Sequence, residues 1–439
     1  MPRSLKGVAR LKGVALDVTP IRESRDFRLL AIGEICSGLG SQAALVALPY
    51  QIYALTHSPT LVGLTGAFEL GPMIVVSLLG GALADRRDRR LMLAVAQVGI
   101  VIVAAALVAV SLAGRPPVLV LLVLAGLLAG CTALDAVCRG AMVPAILGPA
   151  LMRAGIAFNY GAGQATAIVG PALGGLLIEL AGVSWVYAID GAACLAMLFF
   201  ALAMSPQRPV GVREHAPVRA AIIEGLRFVG STQAIAGAFV ADLCAMTFAM
   251  PRALFVVLSL TVYHAGATGA GALYAAISVG GTLAVLTSGW VTRARRLGRI
   301  TLICIALWAM AILGVGLVRS IVPAVLLLAA AGWVDGTSAV CRSTITQTLT
   351  PDRLRGRMSA VYSLVVTSGP RFGDIQSGLV AGAIGALNAV VAGGGACLVG
   401  VVATMFAFPK LERYDADRAV AAMRAADEEW LLAQEGARA

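Results

Sequence analysis

Eleven ionisable side chains lie well inside long apolar stretches of this chain: Glu34, Glu69, Asp135, Arg139, Asp190, Asp242, Arg252, Asp335, Arg342, Arg371 and Asp374. A charge in an apolar medium is costly, so each must meet a partner or a water-filled cavity. Glu34 has no basic residue within a helical turn. It lies seven residues past Phe27, about 10 Å along a helix rising ~1.5 Å per residue. Burial disfavours an ionised carboxylate, so such a group takes up and releases a proton as water access changes. Asp242 is isolated in the same way. With Asp335, these two acids are the candidates for proton coupling. Asp135 and Arg139 are four apart, share a helix face and can neutralise each other. Arg371 and Asp374, three apart, are expected to pair. Arg252 follows the helix-breaking Pro251 as a fixed cation, able to hold an anionic substrate or to pair with Asp242 or Glu34. Asp135, Arg139, Arg252 and Arg342 are the candidates for lining a substrate cavity, although Arg139 and Arg342 lie near the ends of their stretches, where they can also brace loops. Glu69 has no local partner, and Asp190 is expected to hydrogen-bond to a neighbouring helix.

This chemistry binds protons and ions and makes no covalent bonds. His57, His215 and His264 lie far apart in sequence, and there is no HExxH, GxSxG or phosphate-binding loop. The eight cysteines form no CxxC pair and all fall in apolar segments, so they read as small packing residues. No enzyme activity, metal site or cofactor is expected.

The elements that position these charges are membrane helices. The chain has 439 residues, of which 59% are apolar and 13% charged, and its mean hydropathy is +0.88. A water-soluble fold cannot bury so much apolar surface. A bilayer core takes about 20 apolar residues in helix. Twelve such spans are predicted, at 27–55, 60–84, 91–112, 117–140, 154–181, 184–204, 232–258, 269–292, 300–318, 321–345, 360–384 and 386–408. The fold class is therefore an all-α membrane protein of twelve transmembrane helices in two six-helix pseudo-symmetric halves. The organisation is a cytoplasmic N-terminal segment (1–26), an N-terminal half (27–204), a linker (205–231), a C-terminal half (232–408) and a cytoplasmic tail (409–439). In the linker, Ile222, Leu226 and Val229 fall at helical spacing beside Arg219, Glu224 and Arg227, which predicts a short amphipathic helix on the membrane surface. The tail is polar, with Trp430 and Leu431 as its apolar patch. The first 26 residues carry no apolar core of the signal-peptide kind, so no cleavable leader is expected.

Lys and Arg set the orientation. With both termini cytoplasmic, 28 of the 34 fall on the cytoplasmic side and only Arg115 and Arg319 on the other. This explains the net charge of +11 without a nucleic-acid partner. The expected location is the inner (plasma) membrane, and the expected partners are a small-molecule substrate, protons and membrane lipid, with the chain acting as a monomer.

The halves repeat each other. Ala136-Val137-Cys138-Arg139 with Pro149 recurs about 200 residues later as Ala339-Val340-Cys341-Arg342 with Pro351. Gly170-Pro171 recurs as Gly369-Pro370, and the arginines 86–90 as the arginines 293–299. Six spans per half keep both halves in the same orientation, the arrangement of transporters with a midplane site between two repeats. Seven of the eleven internal charges fall on spans one, four, seven and ten. These four are therefore expected to line a central aqueous cavity, with the charge-free spans three, nine and twelve facing lipid.

Gly81-Ala82-Leu83-Ala84-Asp85-Arg86-Arg87-Asp88-Arg89-Arg90, between spans two and three, resembles the loop motif of the major facilitator superfamily, with Asp88 in place of its second glycine. The resemblance implies that Gly81, Asp85, Arg86, Arg89 and Arg90 form a cytoplasmic latch between halves in the outward-facing state. Gly170, Pro171, Gly174 and Gly175 are similar to the end of the span-five motif of proton-driven exporters, with Ala157 and Thr166 where glycine is usual upstream. The whole chain resembles the enterobactin and siderophore exporter branch, which also holds multidrug exporters. The stretches that carry this are Leu61-Val62-Gly63-Leu64, Glu224-Gly225-Leu226-Arg227-Phe228, Leu273-Tyr274-Ala275-Ala276, and Thr348-Leu349-Thr350-Pro351 with Gly356-Arg357. The implied function is proton-coupled export of a small amphipathic molecule, siderophore or drug, by alternating access. A lysolipid flippase-like transporter is the alternative, and a non-transporting receptor or integral enzyme the alternative of another class.

Overall fold

The computed structural model describes residues 17–84, 86–208, 218–351, 354–417 and 419, and among them there is helix and no strand. Asp85 of the latch motif and Trp430 and Leu431 of the tail lie outside the described residues. The first half consists of α1 (Arg25–Thr56), α2 (Pro59–Ala84), α3 (Arg89–Leu112), α4 (Val118–Ile146), α5 (Pro149–Ala181) and α6 (Val183–Ala203). The second consists of α7, in two pieces α7a (Gln233–Phe248) and α7b (Leu254–Thr261), then α8 (Gly266–Thr287), α9 (Leu297–Leu317), α10 (Ile321–Leu349), α11 (Arg355–Ile384) and α12 (Ala386–Ala407). Each expected span is present. α4 and α10 continue past the predicted ends at 140 and 345, and Pro144 in the last turn of α4 does not stop that helix. α5 starts at Pro149, a first-turn position where the missing N–H has no partner to lose.

Among the described residues ten helices are long and apolar enough to cross a membrane by themselves. The exceptions are α7, which is broken, and α11, whose face carries Ser363, Thr367, Arg371 and Asp374. These two depend on the rest of the bundle for their place. Large apolar side chains project outward where lipid would lie, among them Val95 and Ile102 on α3, Phe199 on α6, Met310 on α9 and Phe406 on α12.

The repeat is visible in the backbone. Gly182 joins α5 to α6 with φ of 87°, and Gly385 joins α11 to α12 with φ of 85°. Each donates its N–H back to the helix just ended, Gly182 to Ile178 O at 3.0 Å and Gly385 to Ala381 O at 2.9 Å. Glycine enters this left-handed region without steric cost, so the same tight joint is built twice.

The two halves meet at the end of the bundle away from the linker. A Cβ on Gly63 of α2 would lie 2.6 Å from Cα of Gly378 on α11, and one on Gly66 would lie 2.7 Å from Arg371 O. Thr60 Oγ1 donates to Gly378 O at 3.4 Å. On the opposite flank α5 packs on α8. Gly175 abuts Ala267, Gly271 abuts Pro171, and Glu179 accepts from Thr268 N and Oγ1 at 3.4 and 2.5 Å. Toward the basic end the halves diverge. The last cross-half hydrogen bond on the way, among the described residues, is Gln164 Nε2 to Thr282 Oγ1, at 3.5 Å.

The expected linker helix spans Val218–Ser231. It turns 106° from α7a, so it lies across the end of the bundle. Glu224 pairs with Arg357 at the start of α11, and Gly225 seats against Val361. Ile223 and Leu226 remain exposed on the side a membrane surface would cover. After α12, Leu411 is fully buried and Asp417 pairs with Arg295 at 3.0 Å.

Gly378→Val is expected to push α2 and α11 apart at the closed end. The check uses a background with the eight native cysteines replaced by alanine and Thr65→Cys in the cavity wall. A membrane-impermeant maleimide added from the closed side should label Thr65→Cys faster once Gly378→Val is present.

Candidate functional site

The site begins with a broken helix. α7a ends at Phe248 because Pro251 cannot extend it, and the chain restarts as α7b at Leu254. The backbone groups freed by this break lie at membrane depth, where they must be satisfied internally. Three side chains from three other helices do so. Trp308 Nε1 of α9 donates to Ala249 O at 2.9 Å. Tyr274 OH of α8 donates to Arg252 O at 2.8 Å. Asp374 Oδ1 of α11 accepts from Ala253 N at 2.9 Å. The break thereby holds Arg252 at mid-depth.

Arg252, Ala253, Tyr274, Arg371 and Asp374 from the second half form one wall of a cavity of about 640 Å³, within the range of small-molecule sites. Ser363, Thr367 and Ser368 continue this polar wall along α11, and the Ser368 hydroxyl is buried without a partner. The facing wall is mostly aliphatic, with Leu45 and Leu48 of α1, Met73, Ile74 and Leu78 of α2, and Leu128 and Val137 of α4. Its polar members include Glu69, Tyr187 and Asp190. Glu69 Oε2 pairs with Arg371 Nε across the halves at 2.9 Å. The Arg252 guanidinium makes no ion pair among the described residues, which leaves a fixed cation facing the cavity.

Nearer the basic end, each half carries a guanidinium socket. In the first half Arg139 pairs with Asp135 at 2.8 Å, one turn back on α4, and donates to Ser37 Oγ of α1 at 2.8 Å. Gln97 Nε2 of α3 also donates to Asp135, at 2.6 Å. In the second half Arg342 donates to Ser338, one turn back on α10, at 2.9 Å. It pairs with Asp242 of α7a at 2.9 Å and with Asp335 at 3.6 Å. Acid and serine have thus exchanged places between the repeats. Glu34 adds a second acid to the first socket. One of its oxygens is buried without a partner, and the charges acting on it are those of Arg139 and Asp135. Each socket therefore holds two carboxylates and one guanidinium.

The structure brings the expected residues together differently from the sequence reading. Of the four residues expected in the cavity wall, only Arg252 is there. Asp135, Arg139 and Arg342 are held in the sockets, and no residue of α10 lines the wall. Arg252 does not pair with Asp242 or Glu34, since Arg342 and Arg139 supply the cations there. Arg371 and Asp374 do not pair with each other: one binds Glu69 and the other caps α7b. Glu69, Asp190 and Asp374 line the cavity although they stood outside the expected wall, and Asp190 has the expected hydrogen bond to a neighbouring helix, from Ser41 of α1. The signals that would have found them are Pro251, whose break needs a distant acceptor, and the polar face of α11. In the latch motif, Asp88 caps α3 and accepts from Arg90 N and Gln207 N, both at 3.0 Å. Arg89 donates to Ala141 O at 3.2 Å and Arg90 to Met204 O at 2.8 Å. Both partners belong to the first half. Gly81 has open space around it, and Arg86 is exposed in the turn after α2. In the span-five motif, Gly170 and Gly174 admit α1, while Pro171 and Gly175 meet α8 of the other half.

Two six-helix halves around a mid-depth cavity, closed at one end, define a membrane transporter. The sequence model for transmembrane secretion effectors matches residues 16–435, and the chain belongs to this family of the major facilitator superfamily. An enterobactin exporter of Citrobacter koseri is 30% identical over 409 residues, spanning 91% of this chain and 95% of that protein. Two solved structures share the fold. A POT family transporter in complex with 5-aminolevulinic acid superposes with a TM-score of 0.68 at 12% identity, over 88% of this chain and 97% of its own. A bacterial homologue of the human lysosomal transporter Spinster, inward-facing and unoccupied, superposes with a TM-score of 0.66 at 15% identity, over 92% and 98%. The enzyme and receptor alternatives are set aside.

Removing one member of a buried ion pair strands the other, at a cost of about 3–5 kcal/mol. Arg342→Met is therefore expected to lower the thermal unfolding midpoint in detergent. Adding Asp242→Asn and Asp335→Asn should restore most of the loss, because the full set removes every charge of the socket.

Proposed function

We propose that this protein exports a small amphipathic molecule, a siderophore or drug, across the inner membrane in exchange for protons, with both termini cytoplasmic and the monomer as the working unit. The observation that carries this reading is the cavity between the halves. It is closed at the far end by α2–α11 and α5–α8, and its walls reach toward the basic end through Ser77, Val137 and Ser363. With the basic end cytoplasmic, this is the inward-facing member of an alternating pair. The two-faced wall suits a substrate with an apolar body and an oxygen-rich edge, and the similarity to enterobactin exporters agrees with that chemistry. Arg252 is the anchor for an anionic group.

Proton coupling resides in the sockets. Two acids on one guanidinium leave one negative charge in a low-dielectric setting, which a proton cancels. Glu34, Asp242 and Asp335 are the acids that take it up. Among the described residues Arg89 and Arg90 bond within the first half, and the latch arginines are available to hold the outward-facing state with Asp85.

Purified protein in vesicles with an acidic lumen is expected to accumulate enterobactin from the outside. Glu34→Gln or Asp242→Asn should abolish that accumulation, and uptake of equal extent without a pH difference rejects the coupling. Arg252→Met should raise the half-saturating enterobactin concentration by about tenfold, the loss of roughly 1.4 kcal/mol of binding.

A further inference from the structure

Asp190 differs from every other acid in the cavity wall. Glu69 is paired with Arg371, and Asp374 accepts from the backbone of α7b beside Arg252. Asp190 has neutral donors only: Ser41 Oγ of α1 at 3.1 Å and Cys194 Sγ of its own helix at 3.7 Å. It is 2% exposed, yet both it and Ser41 line the cavity. It makes no ion pair among the described residues. The titratable groups around it from its own helix are Tyr187 and Cys194. Glu34 of α1 lies nearly two turns nearer the basic end, and α3 presents the neutral Gln97. Asp135 and Arg139 of α4 are tied to each other, and Glu179 of α5 is engaged by Thr268.

The fold has been shaped to admit this acid. A Cβ on Gly40 of α1 would lie 2.8 Å from Asp190 Cα and 2.9 Å from its Oδ1. The repeat shows that the acid is no part of the shared scaffold. Asp190 stands as far past the joint at Gly182 as Gly393 stands past the joint at Gly385. Gly393 packs directly against Phe248 O. A glycine therefore meets the packing demand in one half, and a carboxylate that no packing requires occupies the other.

A hydroxyl and a thiol cannot compensate an ionised carboxylate in a dry wall. A calcium or magnesium ion needs about six oxygen ligands, and among the described residues no group of acids, histidines or cysteines could hold a metal ion. We propose that Asp190 is the proton-binding residue of the substrate cavity itself. Its O–H breaks when cavity water from the cytoplasmic side reaches it, and the proton passes to that water. The carboxylate that remains keeps the Ser41 hydrogen bond, and it is reprotonated when the cavity opens to the far side. Substrate and proton thus occupy one chamber in turn. This rests on the exporter reading above and adds to it, since the socket acids lie outside the chamber.

The test uses the full-length protein in lipid vesicles. Dicyclohexylcarbodiimide adds to protonated carboxyl groups in apolar surroundings, and mass spectrometry locates the adduct. Labelling at Asp190 is expected at low pH and should fall as pH rises, with the paired Glu69 far less labelled. In vesicles loaded with enterobactin, Asp190→Asn should lower the ratio of pH-driven accumulation to enterobactin exchange by about tenfold. An unlabelled Asp190 at every pH overturns the proposal, and so does an unchanged ratio. If Asp190→Asn does not fold, the labelling of the unmodified protein decides alone. If the unmodified protein shows no pH-driven accumulation, the exporter reading fails, while pH-dependent labelling at Asp190 still stands or falls separately.

Discussion

An uncompensated charge cannot be left in hydrocarbon, and this constraint fixes several of the contacts between helices of the bundle. Arg342 draws α10 onto α7a through Asp242. Arg371 draws α11 onto α2 through Glu69. Arg139 is satisfied mostly by its own helix. The first contact closes a socket within one half, and the second joins the halves above the cavity. Both α7 and α11 lack the apolarity or the continuity to cross a membrane alone, and both are held by these contacts.

The broken helix shows the same rule applied to backbone. Pro251 releases carbonyl and amide groups at mid-depth, and Trp308, Tyr274 and Asp374 each satisfy one of them. The break is therefore stable, and it presents Arg252 to the cavity from a backbone fixed on three sides. The glycines at the closed end serve the opposite purpose. Gly63 and Gly378 let α2 and α11 approach to backbone contact without a charged bond at that point, which favours a joint that can be undone.

Much of this was legible in the sequence. The twelve spans, the repeat and the linker helix follow from apolar stretches, matched motifs and helical spacing, all local or periodic signals. The charged residues were legible as buried, because their neighbours are apolar. Their partners were not. Arg371 and Asp374 sit three apart and look like a pair, yet each reaches another helix, because a side chain pairs where the bundle places it. Glu69 has no neighbour of opposite charge in sequence, and its partner lies near the other end of the chain. The cavity wall was misassigned for the same reason: counting charges per span gives their number but not their direction, and those of α10 point into its own half.

The exchange of acid and serine between the two guanidinium sockets makes the lobes mechanically unequal. In the second lobe the charge pair crosses from α10 to α7a, so these helices are riveted together, and parting them would strand an ion. In the first lobe the pair belongs to α4 alone, and its guanidinium reaches α1 through the Ser37 hydroxyl, a contact worth about 1 kcal/mol. The α10–α7a seam of the second lobe is thus built as an anvil, and the α4–α1 seam of the first is the pliant one.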